Sequence, residues 1–282
     1  MIRIFSDSTC DLSQELIDRY NIGIIPLFIV LGDRECRDGI DISPEEIYQW
    51  SDENKTTPKT AAPSIQAAIE AFDEALKDGD EIIAFTISES MSTTANVFRM
   101  AIDELDAQGS ATVVDSANLS TGIGLLVIEA AIKAQEGMSR ADIVSYIEQL
   151  KPLVRASFVV DTLEFLRRGG RCSSVAALAG TVFNLHPQID VIDGRMLAGR
   201  KFRGKIDAVT RHYAQELEEA LLRARPDRVF ITHSGSSPEV VEEVRTYLAG
   251  LNYFTEIFET HAGGVISSHC GPGTLGVLFI DT

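Results

Sequence analysis

Positive charge is scarce in this chain. Its 25 Lys and Arg stand against 42 Asp and Glu, a formal net charge of −17. A nucleic-acid partner needs a basic footprint for its phosphates, so the balance argues against that class. It also argues against standing attachment to an anionic membrane surface, while a transient membrane contact is left open. Cysteine is scarce too. The four present (Cys10, Cys36, Cys172, Cys270) form no CxxC pair, so neither a zinc site nor a disulfide framework is indicated. No apolar run reaches membrane-spanning length. The start, "MIRIFSDSTCDL", meets Asp7 before an apolar stretch of signal-peptide length can form. The expectation is a cytoplasmic, reduced protein with no metal and no cofactor. P-loop, H-E-x-x-H and G-x-S-x-G signatures are all missing. His186, His212, His233 and His261 show no metal-ligand spacing and read as structural or exposed. Repeats and low-complexity segments are also lacking.

What is present is a globular composition, 45% hydrophobic and 24% charged, over 282 residues. Strands and helices alternate. "IRIF" reads as a strand, followed by a helix over "LSQELIDRY" capped by Asp11, with Gln14 at the capping-box position. "GIIPLFIV" reads as one strand whose Pro26 marks an edge or a bulge. Ser43, Pro44 and Glu46 begin a helix, and Ile65, Ile69, Phe72 and Leu76 share a helical face. "EIIAFTI" and "ATVVDS" are strands. Between them lies a helix with Val97, Met100, Ala101 and Leu105 on one face. This alternation predicts a mostly parallel, doubly wound sheet in an N-terminal α/β domain, residues 1–155. The later segments "SFVVDT", "QIDVIDGRMLAGRKF", "RVFITHS", "FTEIFET" and "GVLFI" predict a second α/β domain, residues 156–282, with antiparallel pairing and a hairpin on Asp193-Gly194. "LEFLRRGGRCSS" reads as a polar, basic turn region.

Near the C-terminus, "SSHCGPGTLGVLFI" carries glycines at 271, 273 and 276, the spacing of a dinucleotide fingerprint. That fingerprint must follow a strand and open a helix; here the glycines precede a strand, and Pro272 removes a donor. A tight turn explains the glycines but not His269. Thr60 and Ser92 likewise stand in loops at the mouths of elements, where open α/β sheets take ligands. The residues alone leave several readings open. Thr60 and Ser92 could be helix caps and His269 a satisfied loop histidine. Alternatively, Ser92 and His269 could serve an acyl- or phosphoryl-transfer enzyme, or the three could bind some apolar acid.

Six segments in order, "FSDSTCDL", "KTAAPS", "ISESMSTT", "VVDSANLSTG", "FVVDTLEFLRRGGR" and "SHCGPGTLG", resemble the DegV family of bacterial fatty-acid-binding proteins over essentially the whole chain. The resemblance implies two α/β domains with a long-chain fatty acid between them. It further implies a non-catalytic role, presenting the carboxylate to a separate fatty acid kinase for acyl phosphate formation. By resemblance, Thr60, Ser92 and His269 contact the carboxylate. Arg203 is a weaker candidate for a nearby basic residue, and Gly271 lets the backbone approach the head group. Arg167, Arg168 and Arg171 form a basic patch that could steer the kinase. Ala61 stands where the family usually has Ser, and Glu89, Ser90 and Thr93 replace a Ser and two glycines around Ser92. Those departures predict a stiffer loop and an added charge near the head group.

Overall fold

A computed structural model describes residues 1–172 and 185–282. The chain opens with β1 (Ile2–Asp7), α1 (Gln14–Tyr20) and β2 (Ile22–Ile25). A hairpin of β3 (Phe28–Leu31) and β4 (Arg34–Arg37) leads through α2 (Pro44–Asn54) to β5 (Lys59–Ala61). Then come α3 (Ile65–Lys77), β6 (Glu81–Thr86), α4 (Thr94–Glu104), β7 (Ala111–Asp115), α5 (Thr121–Gln135) and α6 (Arg140–Leu150). The remainder comprises β8 (Val154–Val159), α7 (Glu164–Gly169), β9 (Leu185–Ile192), β10 (Arg195–Arg203), α8 (Ile206–Glu216) and the short α9 (Glu218–Leu221). Last are β11 (Arg228–Ser234), α10 (Pro238–Gly250), β12 (Glu256–His261), α11 (Gly264–Cys270) and β13 (Thr274–Ile280).

The strands form three sheets. A parallel four-stranded sheet has the order β2-β1-β6-β7. A six-stranded sheet has the order β10-β9-β8-β13-β11-β12 and is antiparallel except for the β11–β12 pair. β4-β3-β5 make a small antiparallel sheet. The predicted mixed α/β class, parallel first and largely antiparallel later, is therefore what the chain adopts. No helix among the described residues is long and apolar enough to cross a membrane.

Pro26 does more than mark an edge. It divides "GIIPLFIV" into β2 and β3, which belong to different sheets, because a residue without an N–H cannot carry a ladder onward. The cap of α1 is Ser13, not Asp11: the Ser13 hydroxyl accepts from the Leu16 N–H at 3.4 Å, and Asp11 sits in the left-handed region one turn earlier. Ser43 makes the expected capping box with Glu46. On α4 the buried stripe is Ala95, Phe98, Ala101 and Ile102, while Met100 is 57% exposed. Two stripes of similar hydrophobicity competed there. The aromatic one won because Phe98 meets Phe72 of α3 edge-on at 5.4 Å. "LEFLRRGG" folds as the helical α7 instead of a turn; Ser173 and Ser174 lie outside the described residues.

α5 is buried from Thr121 through Ala131 because it packs against both large sheets, touching β1 and β6 as well as β8 and β13. One hydrophobic cluster accordingly runs from Ile4 and Phe85 through Ile123 and Leu126 to Phe158, Phe230 and Leu278. The helix carries one buried charge, Glu129. Burial pushes its carboxyl up, but the Tyr146 hydroxyl and the guanidinium groups of Arg225 and Arg228 outweigh that and hold it below its ordinary value. Arg228 donates to it at 2.5 Å, Tyr146 at 2.6 Å and Arg225 at 3.0 Å.

Candidate functional site

A cavity of about 450 Å³ opens where β5, the loop after β6, and α11 converge. Its walls are mostly apolar: Leu27, Ile87, Met91, Leu119, Met196 and Ile266. Polar groups gather on it from distant parts of the chain, namely Thr60, Ser92, Arg171 and His269.

Each is placed by a separate device. Thr60 is the central residue of β5, paired with Ile29 of β3; the cap of α3 is Ser64, so Thr60 is not a helix cap. Ser92 lies in the turn before α4. Its N–H donates to the Ser88 carbonyl at 3.1 Å, and its hydroxyl lies 2.8 Å from the Thr94 hydroxyl and accepts from the Thr94 N–H at 3.3 Å. The same loop is pinned from the far half of the chain. The Ser88 and Ser90 hydroxyls both donate to the Gly194 carbonyl at the tip of the β9–β10 hairpin. Ser90, a departure from the family pattern, thus has a fixed partner.

His269 is carried by α11 and not by a glycine turn. Two buried aspartates hold the N-terminal end of that helix. Asp38 accepts from the Gly264 N–H at 2.7 Å and Asp11 from the Gly263 N–H at 2.9 Å. Both carboxyls are pushed up by burial, which their hydrogen bonds only partly offset. Further along, Ser267 lies 3.0 Å from Ser234, which Tyr48 also contacts. These bonds fix the rotation of α11 and so the direction of the imidazole. Nε2 of His269 lies 2.9 Å from the Thr60 hydroxyl, across 209 residues of sequence. Nδ1 is buried with no partner and faces Gly169, where a Cβ would come within 2.2 Å of it. Burial, with a smaller contribution from the Arg171 guanidinium, pushes this imidazole down to about 4. It is neutral at neutral pH, and with Nε2–H donating to Thr60, the Thr60 hydroxyl hydrogen is free to donate into the cavity.

Of the other residues singled out by sequence, Ala61 and Glu89 line the cavity. The Glu89 carboxylate, however, is exposed and paired with Arg99. Gly271 is not in the lining. It ends α11 with φ +76°, and a Cβ there would lie 2.6 Å from the Phe165 ring, so its glycine is needed for the backbone and for packing. Arg203 is exposed on β10 and also outside the lining. The three arginines of "LRRGGR" separate. Arg167 and Arg168 are exposed on α7, with Arg168 paired to Glu164, whereas Arg171 lines the cavity. Its guanidinium donates to the Gly169 carbonyl at 2.8 Å and approaches the Met91 carbonyl at 3.5 Å. Sequence reasoning put Arg171 on a docking face. Nothing local distinguishes it from its neighbours; only the turn after α7 brings it in. Asp38, which seats α11, went unread, and Asp11, which does the same, was read only as a cap of the first helix.

Hydroxyls, an imidazole and one guanidinium thus share the wall of a largely apolar cavity, the anatomy of a small-molecule site. The comparisons identify the lineage. The model of the DegV family, described as uncharacterised proteins, matches residues 1–282, and the chain belongs to that family. A DegV domain-containing protein of Deinococcus radiodurans is 32% identical over 276 residues, covering 98% of this chain and 97% of that one. The structure of a fatty-acid-binding DegV family protein from Thermus thermophilus superposes with a TM-score of 0.91 at 32% identity, covering 100% of this chain and 99% of the other. A stearic-acid-binding protein from Eubacterium ventriosum gives 0.87 at 27% identity, covering 100% and 98%. Bacillus subtilis DegV, a fatty acid binding protein, gives 0.85 at 27% identity, covering 100% and 99%.

Proposed function

We propose that this protein binds a long-chain fatty acid in the 450 Å³ cavity, with the carboxylate at Thr60, Ser92 and His269 and with Arg171 beside it. The observation that carries the proposal is the meeting of Thr60 and His269 at 2.9 Å on the wall of a mostly apolar cavity that Ser92 shares. Family membership and the ligands of the related structures support it. Each methylene removed from water contributes about 0.8 kcal/mol, so the apolar walls supply affinity and the polar end supplies orientation. Lost freedom of the acyl chain takes back part of that gain. Hydroxyl donors and one exposed guanidinium satisfy a carboxylate near the surface without enclosing it.

In this reading the protein is a non-catalytic, cytoplasmic carrier. It offers the carboxylate to a separate fatty acid kinase, with Arg167 and Arg168 as the docking charges and the ligand between an N-terminal domain (1–155) and a C-terminal domain (156–282). The hydroxyl of Ser92 engages Thr94 and not His269, which supports binding over a Ser–His nucleophile. The test is organic extraction of the purified protein followed by mass spectrometry, with uptake of added palmitate by the delipidated protein. About one long-chain acid per chain is expected. No acid extracted and no uptake defeat the proposal. Esterase turnover lost in Ser92→Ala would replace it with the enzyme reading.

A further inference from the structure

The pairing of β11 with β12 creates a second cluster of chemistry. The two strands are parallel, and His233 stands opposite His261 in register. Glu259 lies two residues before His261 and therefore on the same face of β12. One ligand-capable atom from each of His233, Glu259 and His261 lies within 4.8 Å of the others. The two imidazole rings are 4.4 Å apart between centroids.

His233 is the unusual member. It is 5% exposed, and neither ring nitrogen has a hydrogen-bond partner. Its Nε2 lies 3.5 Å from Glu259 Oε1. A buried imidazole lacking a partner at both nitrogens is costly unless something else meets it.

We propose that His233, Glu259 and His261 form a site for a divalent transition metal, with zinc(II) the best match to two imidazoles and one carboxylate. Zinc bonds of about 2.1 Å place tetrahedral ligand atoms about 3.4 Å apart. His233 Nε2 and Glu259 Oε1 already stand at 3.5 Å. The remaining ligand, His261, is exposed on the edge strand, its ring centroid 4.4 Å from that of His233. Glu259 is oriented from behind, because Arg245 donates to its other oxygen, Oε2, at 2.6 Å and leaves Oε1 for the metal. Arg245 is in turn flanked by Glu242 at 3.8 Å. The consequence would fall on α11. His261 is followed two residues later by Gly263, whose N–H anchors that helix to Asp11. A metal here would tie the edge of the six-stranded sheet to the root of the helix that carries His269.

The probe is cobalt(II), titrated into tag-free, chelator-treated protein and followed by visible absorption, with zinc(II) as competitor. Wild type is expected to show four-coordinate cobalt bands saturating at one ion per chain and abolished by zinc. His261→Ala and Glu259→Gln, both changes at exposed positions, should each weaken binding at least about 10-fold. Zinc should raise the thermal midpoint of wild type and not that of His261→Ala, and magnesium should raise neither. Cooperative unfolding of both variants, checked by circular dichroism, keeps loss of binding separate from loss of fold. No cobalt bands in wild type, or equal affinity in folded His261→Ala, overturns the proposal.

Discussion

Ser92 and Thr60 each offer one hydroxyl, and each also has a hydrogen-bond partner, Thr94 for the first and His269 for the second. Replacing either by Ala removes a donor to a half-buried carboxylate, and fatty acid affinity should fall by about 1–3 kcal/mol in a fluorescent fatty acid displacement assay. Unchanged affinity in both variants would move the head group elsewhere. Arg171 is exposed, so Arg171→Ala should cost at most about 1 kcal/mol at low salt and less at high salt. Arg167→Ala with Arg168→Ala should leave fatty acid affinity alone and slow phosphorylation by a kinase; a fall in affinity would place those two at the cavity. Glu89 is balanced by Arg99. The pH profiles of fatty acid affinity for wild type and Glu89→Gln should therefore superimpose, and a profile flattened only in the variant would show the carboxylate turned inward. His269 gives a pH effect of definite sign. The unfolded chain takes up its proton near 6.5, the folded protein near about 4. Between those values the unfolded state binds more protons, so this histidine's contribution is present above pH 6.5 and is lost as pH falls toward 4. Its full size is about 3 kcal/mol. Asp7 works in the opposite direction, its carboxyl being pushed up to about 6 by burial. The histidine is isolated by comparing urea unfolding of wild type and His269→Gln at pH 7 and pH 5. Wild type should lose more stability than the variant; equal losses would show that the imidazole protonates freely in the fold.

Among the elements, α11 matters most because it is short and everything about its direction is imposed from outside. Its start is fixed by Asp11 and Asp38, its middle by Ser234, and its end by Gly271 at φ +76° against Phe165. Gly271→Ala must place a Cβ into that ring in a left-handed backbone and should destabilise the protein by at least about 2 kcal/mol, read by urea denaturation. A loss below about 0.5 kcal/mol would mean that Phe165 moves aside freely. The element scale is also where sequence reading succeeded unevenly. The cap at Ser43 and the Asp193-Gly194 hairpin were legible because their chemistry is contained within a few residues. The buried face of α4 was not, since its choice between two apolar stripes depends on Phe72 of another helix.

Across the whole molecule, α5 and its Glu129 join the two large sheets. Glu129→Gln would leave Arg228, a nearly buried guanidinium, without its main anion. Breaking such a pair typically costs about 3–5 kcal/mol. Thermal unfolding should show a correspondingly large fall in midpoint, and a negligible shift would mean that water reaches the Arg228 side chain. Because one hydrophobic cluster runs through both sheets, a saturating fatty acid should raise the midpoint of a single transition. Two transitions, with only one of them moved by the ligand, would contradict that coupling.

The sequence by itself determined most of the element types, though not the helices carrying Arg168 and His269, together with the parallel-then-antiparallel order, the family, and three of the polar residues proposed for the head group. Alternation, caps and turn residues are local signals, and the motifs around Thr60, Ser92 and His269 are contiguous. Only the tertiary structure decided that His269 rides on a helix seated by Asp11 and Asp38, that Arg171 lines the cavity while Arg167 and Arg168 do not, and that His233 meets His261. Those outcomes depend on contacts between residues far apart in the chain. Strand register, for one, closes the 28-residue gap between the two histidines to a ring separation of 4.4 Å. Burial also pushes the His269 imidazole down to about 4, which no spacing in a sequence records.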